Sequence, residues 1–326
     1  MSSQGRYWPK FFLDIYKLAA IISTMLQNKI LTISEFTKLH FGIIKSYEIN
    51  FSTYCPSLDE MKDIFFQNIS EIHIDKLLQV IKNLKSDYVI SFVKRLIGIR
   101  EIIHCRDNNL TLEIPFVWQN IKESIEAISI DFTISSIGSQ GFLSIPLYKS
   151  DNEIEQFDFI RLHIWDDALD ALMDIVKNEM FSIHTHTFFA RSWIITGKII
   201  NNRFDYFVSQ SNPTHSLFKV EYNDSLNQVN KHTSIAVNQD RDVSITKVSE
   251  EIHYANSYYE IIAGKLHQSG HLDSPNASAT FFSFTGKEGL GNSIAVGPNN
   301  IKSSEVNRKI NIDPKSLLLK IDKQLK

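Results

Sequence analysis

The chain has 326 residues, of which 43% are hydrophobic and 22% charged, and its net charge is -3. That composition excludes wholesale disorder and argues against a strongly basic nucleic-acid binder. Its two cysteines, Cys55 and Cys105, form neither a disulfide framework nor a zinc motif, which points to a reducing compartment.

The N-terminal stretch carries no small-residue cleavage pattern. Its best apolar run, Leu18 to Leu26, is about half of the roughly 20 residues that a spanning helix needs. The expectation is a cytoplasmic protein that neither enters a membrane nor binds nucleic acid. Phe11, Phe12, Ile15, Leu18, Ala19 and Ile22 recur at the spacing of one helix face. Ser57 followed by Glu60 reads as a capping box, and Met61, Ile64, Phe65 and Ile69 carry the helical period onward. Ile74, Leu77, Leu78, Val80 and Ile81 continue it, and Tyr88 to Ile103 holds another helix. The pattern predicts a helical domain over residues 1–128.

From residue 129 the texture changes. Short runs rich in Ile, Val, Phe, Tyr and Thr alternate with turn residues: 142–148, 157–165, 181–189, 193–200, 204–208, 218–222, 243–248, 258–263 and 280–284. Many strands at short spacing predict a sandwich or barrel over residues 129–301. One helix is expected inside it, over Asp166 to Lys177. Residues 302–326 hold seven Lys/Arg against three acids and read as a basic, solvated tail with one short strand or helix at Leu317–Ile321. The polar stretch Asn223 to Asp242 reads as a loop over a pocket. The fold class is therefore α+β.

Eleven histidines occur. His40, His73 and His104 lack a ligand-like partner at i+4 and read as structural or surface residues. The segment Ile183 to Phe189 differs: it reads as a strand, in which His184 and His186, two apart, project from one face. Two imidazoles so placed can share a metal ion. Gly286, Gly289 and Gly291 suggest a phosphate loop only superficially, because they lack the P-loop pattern and open no helix. No G-x-S-x-G, H-E-x-x-H or C-x-x-C motif occurs.

His184, His186 and Gly197, then Gly264 and His267 some 70 residues after Gly197, resemble the two motifs of the cupin superfamily. Ala190 stands at the glutamate position, Ile262 replaces the proline of the second motif, and His271 stands where an asparagine is usual. The resemblance covers residues 184–284 and leaves the helical half unexplained. It implies a double-stranded β-helix (jelly-roll) barrel, with His184, His186 and His267 as metal ligands. Three histidines without a carboxylate look like the cysteine-dioxygenase-like branch, which uses ferrous iron, Fe(II). The same donors also suit zinc, nickel or copper. The order Arg161 to Trp165, an inserted helix, then His184-x-His186 adds to the likeness. A homodimer is a further implication.

Arg161 and His163 share a strand face. Arg191 follows the histidine strand, and Tyr206 sits in the next hairpin strand. Arg161, Arg191 and Tyr206 are candidates for a substrate carboxylate, Arg by a bidentate contact and Tyr by one hydrogen bond. Arg191 and Tyr206 are also the candidate catalytic residues, and His163 and His271 join the substrate-binding set. The alternative for each is an ordinary ion pair, a loop residue or a core contact. The expected function is a metal-dependent oxygenase acting on a small polar molecule, thiol or amino-acid-like. The alternatives are a non-catalytic cupin that binds a small ligand or partner protein, and a metal-dependent isomerase or hydrolase.

Overall fold

The structure is a computed structural model, and it describes residues 29–137, 141–150, 153–208, 213–222, 232–310 and 312–326. The helix expected over Phe11 to Ile22 and the apolar run Leu18 to Leu26 lie outside these residues. The described part mixes helices with antiparallel strands, as the α+β expectation had it. None of its helices is long and apolar enough to cross a membrane.

Five helices come first: α1 (Ile33–Ile44), α2 (Leu58–Phe66), α3 (Ile74–Asn83), α4 (Asp87–Asp107) and α5 (Ile114–Glu126). The short strands β1 (Ile30–Thr32) and β2 (Glu71–His73) pair beside them. The capping box at Ser57 forms: its hydroxyl accepts from the Glu60 amide at 3.3 Å, and the Glu60 carboxylate accepts from the Ser57 amide at 2.8 Å. α2 ends sooner than the apolar period suggested, because Gln67 adopts a left-handed backbone (φ 46°) before Ile69 is reached. α4 is apolar around much of its circumference, and Val89, Phe92, Leu96, Ile99 and Ile102 are all buried.

The later strands are β3 (Ser135–Ile137), β4 (Leu143–Lys149), β5 (Asp158–Trp165), β6 (Phe188–Thr196), β7 (Lys198–Val208), β8 (His215–Tyr222), β9 (His232–Tyr254), β10 (Tyr258–Ile261), β11 (Leu266–His271), β12 (Ser278–Leu290), β13 (Ile294–Gly297) and β14 (Ser303–Ile310). All pairings are antiparallel, in the order β10-β6-β12-β5-β4-β3-β14-β9-β7-β11, with β8 bridging β9 and β13. β6 runs into β7 through a sharp turn at Gly197 (φ 79°), where an added Cβ would lie 2.1 Å from the Ser278 hydroxyl. Only glycine meets both demands.

β5 sits between two buried surfaces, and its two-residue alternation assigns them. Ile160, Leu162 and Ile164 join one apolar cluster with Phe92 and Leu96 of α4 and Leu143 and Ile145 of β4. Phe159, Arg161, His163 and Trp165 point the other way, into a cavity. The helices and the strands thus share one continuous core.

Three expectations change here. Residues 166–177 are not one helix: a 3-10 turn (Asp167–Leu172) is followed by the short helix α6 (Ile175–Met180), and of Ala168, Leu169, Leu172, Met173 and Val176 only Leu169 is buried. Residues 302–326 are not a solvated tail. They form β14 and helix α7 (Lys315–Gln324), whose Leu317, Leu318 and Ile321 are buried in the shared core. Of the polar stretch read as a loop, residues 232–242 form the first half of β9, paired with both β8 and β14; residues 223–231 lie outside the described part. In the last two cases the sheet or core took up segments that local composition had assigned to solvent.

His40 on α1 is buried among Phe36, Phe41 and Phe92, with neither ring nitrogen hydrogen-bonded. Burial, then the charge of Lys62, pushes its pKa down to about 4. The unfolded chain takes up a proton near pH 6.5 that the folded chain refuses until about pH 4. Stability therefore falls as pH drops through that window, by about 3 kcal/mol for this group, and stays level below it. His40→Leu is expected to remove that share of the acid sensitivity, read from urea unfolding between pH 7 and pH 4.

Candidate metal centre

β6 does not reach back to His184 as expected. The extended segment before it makes isolated bridges instead, with His184 opposite both His267 of β11 and Ala295 of β13. Reciprocal backbone hydrogen bonds of 3.0 Å join His184 and His267. Two further bonds brace the segment: the Thr185 hydroxyl donates to the Asn292 carbonyl, and the Val296 amide donates to the Ile183 carbonyl at 2.9 Å. The extended backbone keeps the two-residue alternation, so His184 and His186 face the same way.

The result is a cluster of three imidazoles. Ring centroids lie 4.9 Å apart for His184 and His186, 4.7 Å for His184 and His267, and 4.5 Å for His186 and His267. The candidate ligand atoms all fall within 4.8 Å of one another. Nε2 of His184 stands 3.0 Å from Nε2 of His186. Two nitrogens about 2.1 Å from a shared ion, at a right angle, stand about 3.0 Å apart.

The rings are also oriented. Nδ1–H of His184 donates to the Ser182 carbonyl at 2.9 Å, and Nδ1–H of His267 donates to the Lys265 carbonyl at 3.4 Å. A carbonyl only accepts, so each Nδ1 carries the proton and each Nε2 presents a lone pair to the cluster. Nδ1 of His186 is buried without a partner. Burial lowers the pKa of all three. For His186 and His267 the fall is well below 6.5, with the neighbouring imidazoles adding to the effect of burial. The rings are therefore neutral at pH 7, the form in which histidine binds a metal ion.

No carboxylate joins the cluster among the described residues. Ala190 is fully buried in an apolar cluster with Ile194, Ile261 and Phe282. This donor set fits a transition-metal ion with open coordination positions.

The loops that carry the ligands are held by a backbone crossing. The Gly264 amide donates to the His186 carbonyl at 2.9 Å, and the Gly291 amide donates to the Thr187 carbonyl at 2.8 Å. A Cβ on Gly291 would lie 2.3 Å from the Gly264 nitrogen. Gly291→Val must therefore push the two loops apart. It is expected to weaken metal binding by about tenfold or more, measured by competition with a chelating dye.

The three histidines open onto a cavity of about 350 Å³. Its walls include Phe142, Phe159, Phe188, Phe282 and Phe284, with Arg161, His163 and Lys149 among the polar lining. Arg161 and His163 thus share the cavity face, and Arg161 lies over the Phe159 ring, 4.4 Å from its centre.

The other site candidates lie elsewhere. Arg191 points away from the cavity, toward α4. It pairs with Glu260 at 2.5 Å and contacts the Arg106 carbonyl and Asn109. It alternates with the inward Ala190, so its strand position sends it outward. Tyr206 lies on the projecting part of β7, 38% exposed. His271 shares a face with His267 but sits four residues farther on, beside Asp167 at 4.0 Å, and does not line the cavity. Lys149, Tyr259 and Trp165, which do line it, were not singled out in the sequence. The signal available was alternation alone: Trp165 follows Arg161 and His163 at the same two-residue step.

A scan against models of known protein families finds no match, and no curated protein matches the chain.

Proposed function

We propose that the chain is a metal-dependent oxygenase of small polar organic molecules, built on a cupin-like barrel. The observation that carries this reading is the convergence of three buried, neutral imidazoles, without a carboxylate, on an aromatic-walled cavity. The cupin-like spacing of His184, His186, Gly197, Gly264 and His267 supports the same assignment. His184, His186 and His267 would hold the ion, most simply ferrous iron. Bound there, it supplies Lewis acidity and redox chemistry toward dioxygen.

The chain's own residues do the rest. The backbone carbonyls of Ser182 and Lys265 fix the tautomers of His184 and His267. Phe282 and Phe284 pack against His186 at 5.8 and 4.7 Å and keep bulk water from that side. Arg161 offers a charged anchor on the cavity wall for the polar end of a substrate.

The test is metal content by mass spectrometry on protein purified without oxygen or chelators, followed by oxygen uptake with panels of thiols and organic acids. Near-stoichiometric iron and substrate-stimulated uptake are expected. Stoichiometric zinc with no uptake would overturn the oxygenase reading. Failure to take up any metal, even on reconstitution, would leave a ligand-binding module.

A further inference from the structure

The cavity wall also holds polar residues that the proposed metal site does not use. Ser144 on β4 is the cross-strand partner of His163 on β5, and Trp165 stands two residues beyond His163 on the same face. Ser144 Oγ, His163 Nε2 and Trp165 Nε1 are all buried without a hydrogen-bond partner, in residues 1%, 4% and 2% exposed. Buried polar atoms are normally satisfied, and leaving one unmade is costly. Three together in one cavity are unusual.

They are also held in place. The His163 ring is stacked between Phe142, at 4.1 Å, and Phe282, at 4.9 Å, and meets Trp165 edge-on at 6.0 Å. Stacking fixes the ring plane without using its nitrogens. Burial, then the charge of Arg161, keeps the imidazole neutral. The trio therefore offers an indole donor, a hydroxyl that donates or accepts, and a neutral imidazole that does one at each nitrogen. That set matches an uncharged polar group.

The charged lining is placed differently. Lys149 is the cross-strand partner of Phe159, one two-residue step from Arg161, so both cations stand at the same end. No Asp or Glu lines the cavity among the described residues, and Lys149 makes no ion pair there. Along β5, each two-residue step covers about 6.6 Å, so Arg161 and Trp165 are about 13 Å apart. Aromatic side chains fill the walls between these ends.

We infer that the cavity selects an organic acid with a ring-sized apolar body, its anionic group at Lys149 and Arg161 and an uncharged hydroxyl or carboxamide at Ser144, His163 and Trp165. This narrows the substrate class and rests on the reading that this cavity is the substrate site. It also disfavours free amino acids, because no acidic side chain among the described residues of the wall balances an ammonium group.

Calorimetry on the purified full chain under nitrogen tests it, with matched acids that differ by one hydroxyl: 3-phenylpropanoate against 3-(4-hydroxyphenyl)propanoate, and benzoate against 4-hydroxybenzoate. At least one hydroxylated acid is expected to bind about tenfold or more tighter than its partner. Ser144→Ala and His163→Phe should abolish that preference, whereas Arg161→Met should weaken both members of a pair. Thermal melts of the three variants establish that they fold, and Trp165→Phe provides a further conservative variant at the same subsite. Equal affinity within both pairs, tighter binding of the unsubstituted acids, or no binding of any acid would overturn the inference. Metal is assayed in the same samples. A hydroxyl preference in metal-free protein would sustain the subsite while removing the oxygenase reading, and iron without the preference would do the reverse.

Discussion

His186→Ala and His267→Ala are each expected to lower metal affinity by more than about 100-fold, because either leaves two imidazoles where three converged. Loss of a residue that merely orients a ligand already costs about 10- to 100-fold, and loss of the ligand itself exceeds that. The fold should survive both changes. His184 and His267 are joined through backbone bonds that alanine keeps, and His186 contributes a buried nitrogen without a partner. The metal-free variants should therefore melt close to the metal-free parent, while only the parent gains stability on adding metal. Equal metal affinity in both variants and parent, by titration against a competing chelator, would place the ion elsewhere.

The second large effect is expected at the junction between α4 and the sheet. Arg106, in the last turn of α4, reaches both carboxylate oxygens of Asp158 at the start of β5 and donates to the Ser283 hydroxyl of β12 at 2.8 Å. Both charged side chains are nearly inaccessible, at 4% and 9%. Burial pushes the Asp158 carboxyl up, and the Arg106 charge opposes that shift. Arg106→Met leaves the buried carboxylate with only the half-exposed Lys287, 3.9 Å away, as a cationic neighbour. A loss of about 3–5 kcal/mol is expected by urea unfolding, as for other buried pairs broken from one side. Adding Asp158→Asn to that variant should restore part of the loss, because the orphaned charge is then gone. A loss below about 1 kcal/mol in the single variant would show that water reaches the pair.

The sequence revealed most where one residue type had a single physical use. Ser57 and Glu60 marked a helix start because a capping box is local, and the β-branched and aromatic run over 157–165 marked a strand. The three histidines were legible as a set through the cupin-like spacing, and the structure brings them together. Arg191 and Tyr206 were not resolved by the same reasoning. An arginine beside a histidine strand can face either side, and only the inward position of Ala190 settles that Arg191 faces α4. In the basic C-terminal segment the short element at Leu317–Ile321 was legible, but not the burial of Leu317, Leu318 and Ile321, which depends on helices distant in sequence. Ser144 and Trp165 carried no motif at all. Their interest comes from cross-strand register and from missing hydrogen-bond partners, and neither can be read from a single segment.

The crossing at Gly264 and Gly291 has a bearing on how the protein is made. His184 and His186 are neighbours, but His267 follows some eighty residues later, and the glycine that braces their loops comes later still. A chain emerging from the ribosome holds two of its three ligands long before the third exists. Until β7, β9 and β11 have paired, the early histidines offer only a weak, exposed chelate. If the three histidines bind an ion, its capture would therefore be among the last events of biosynthesis, with metal supplied to a finished fold rather than to a nascent one.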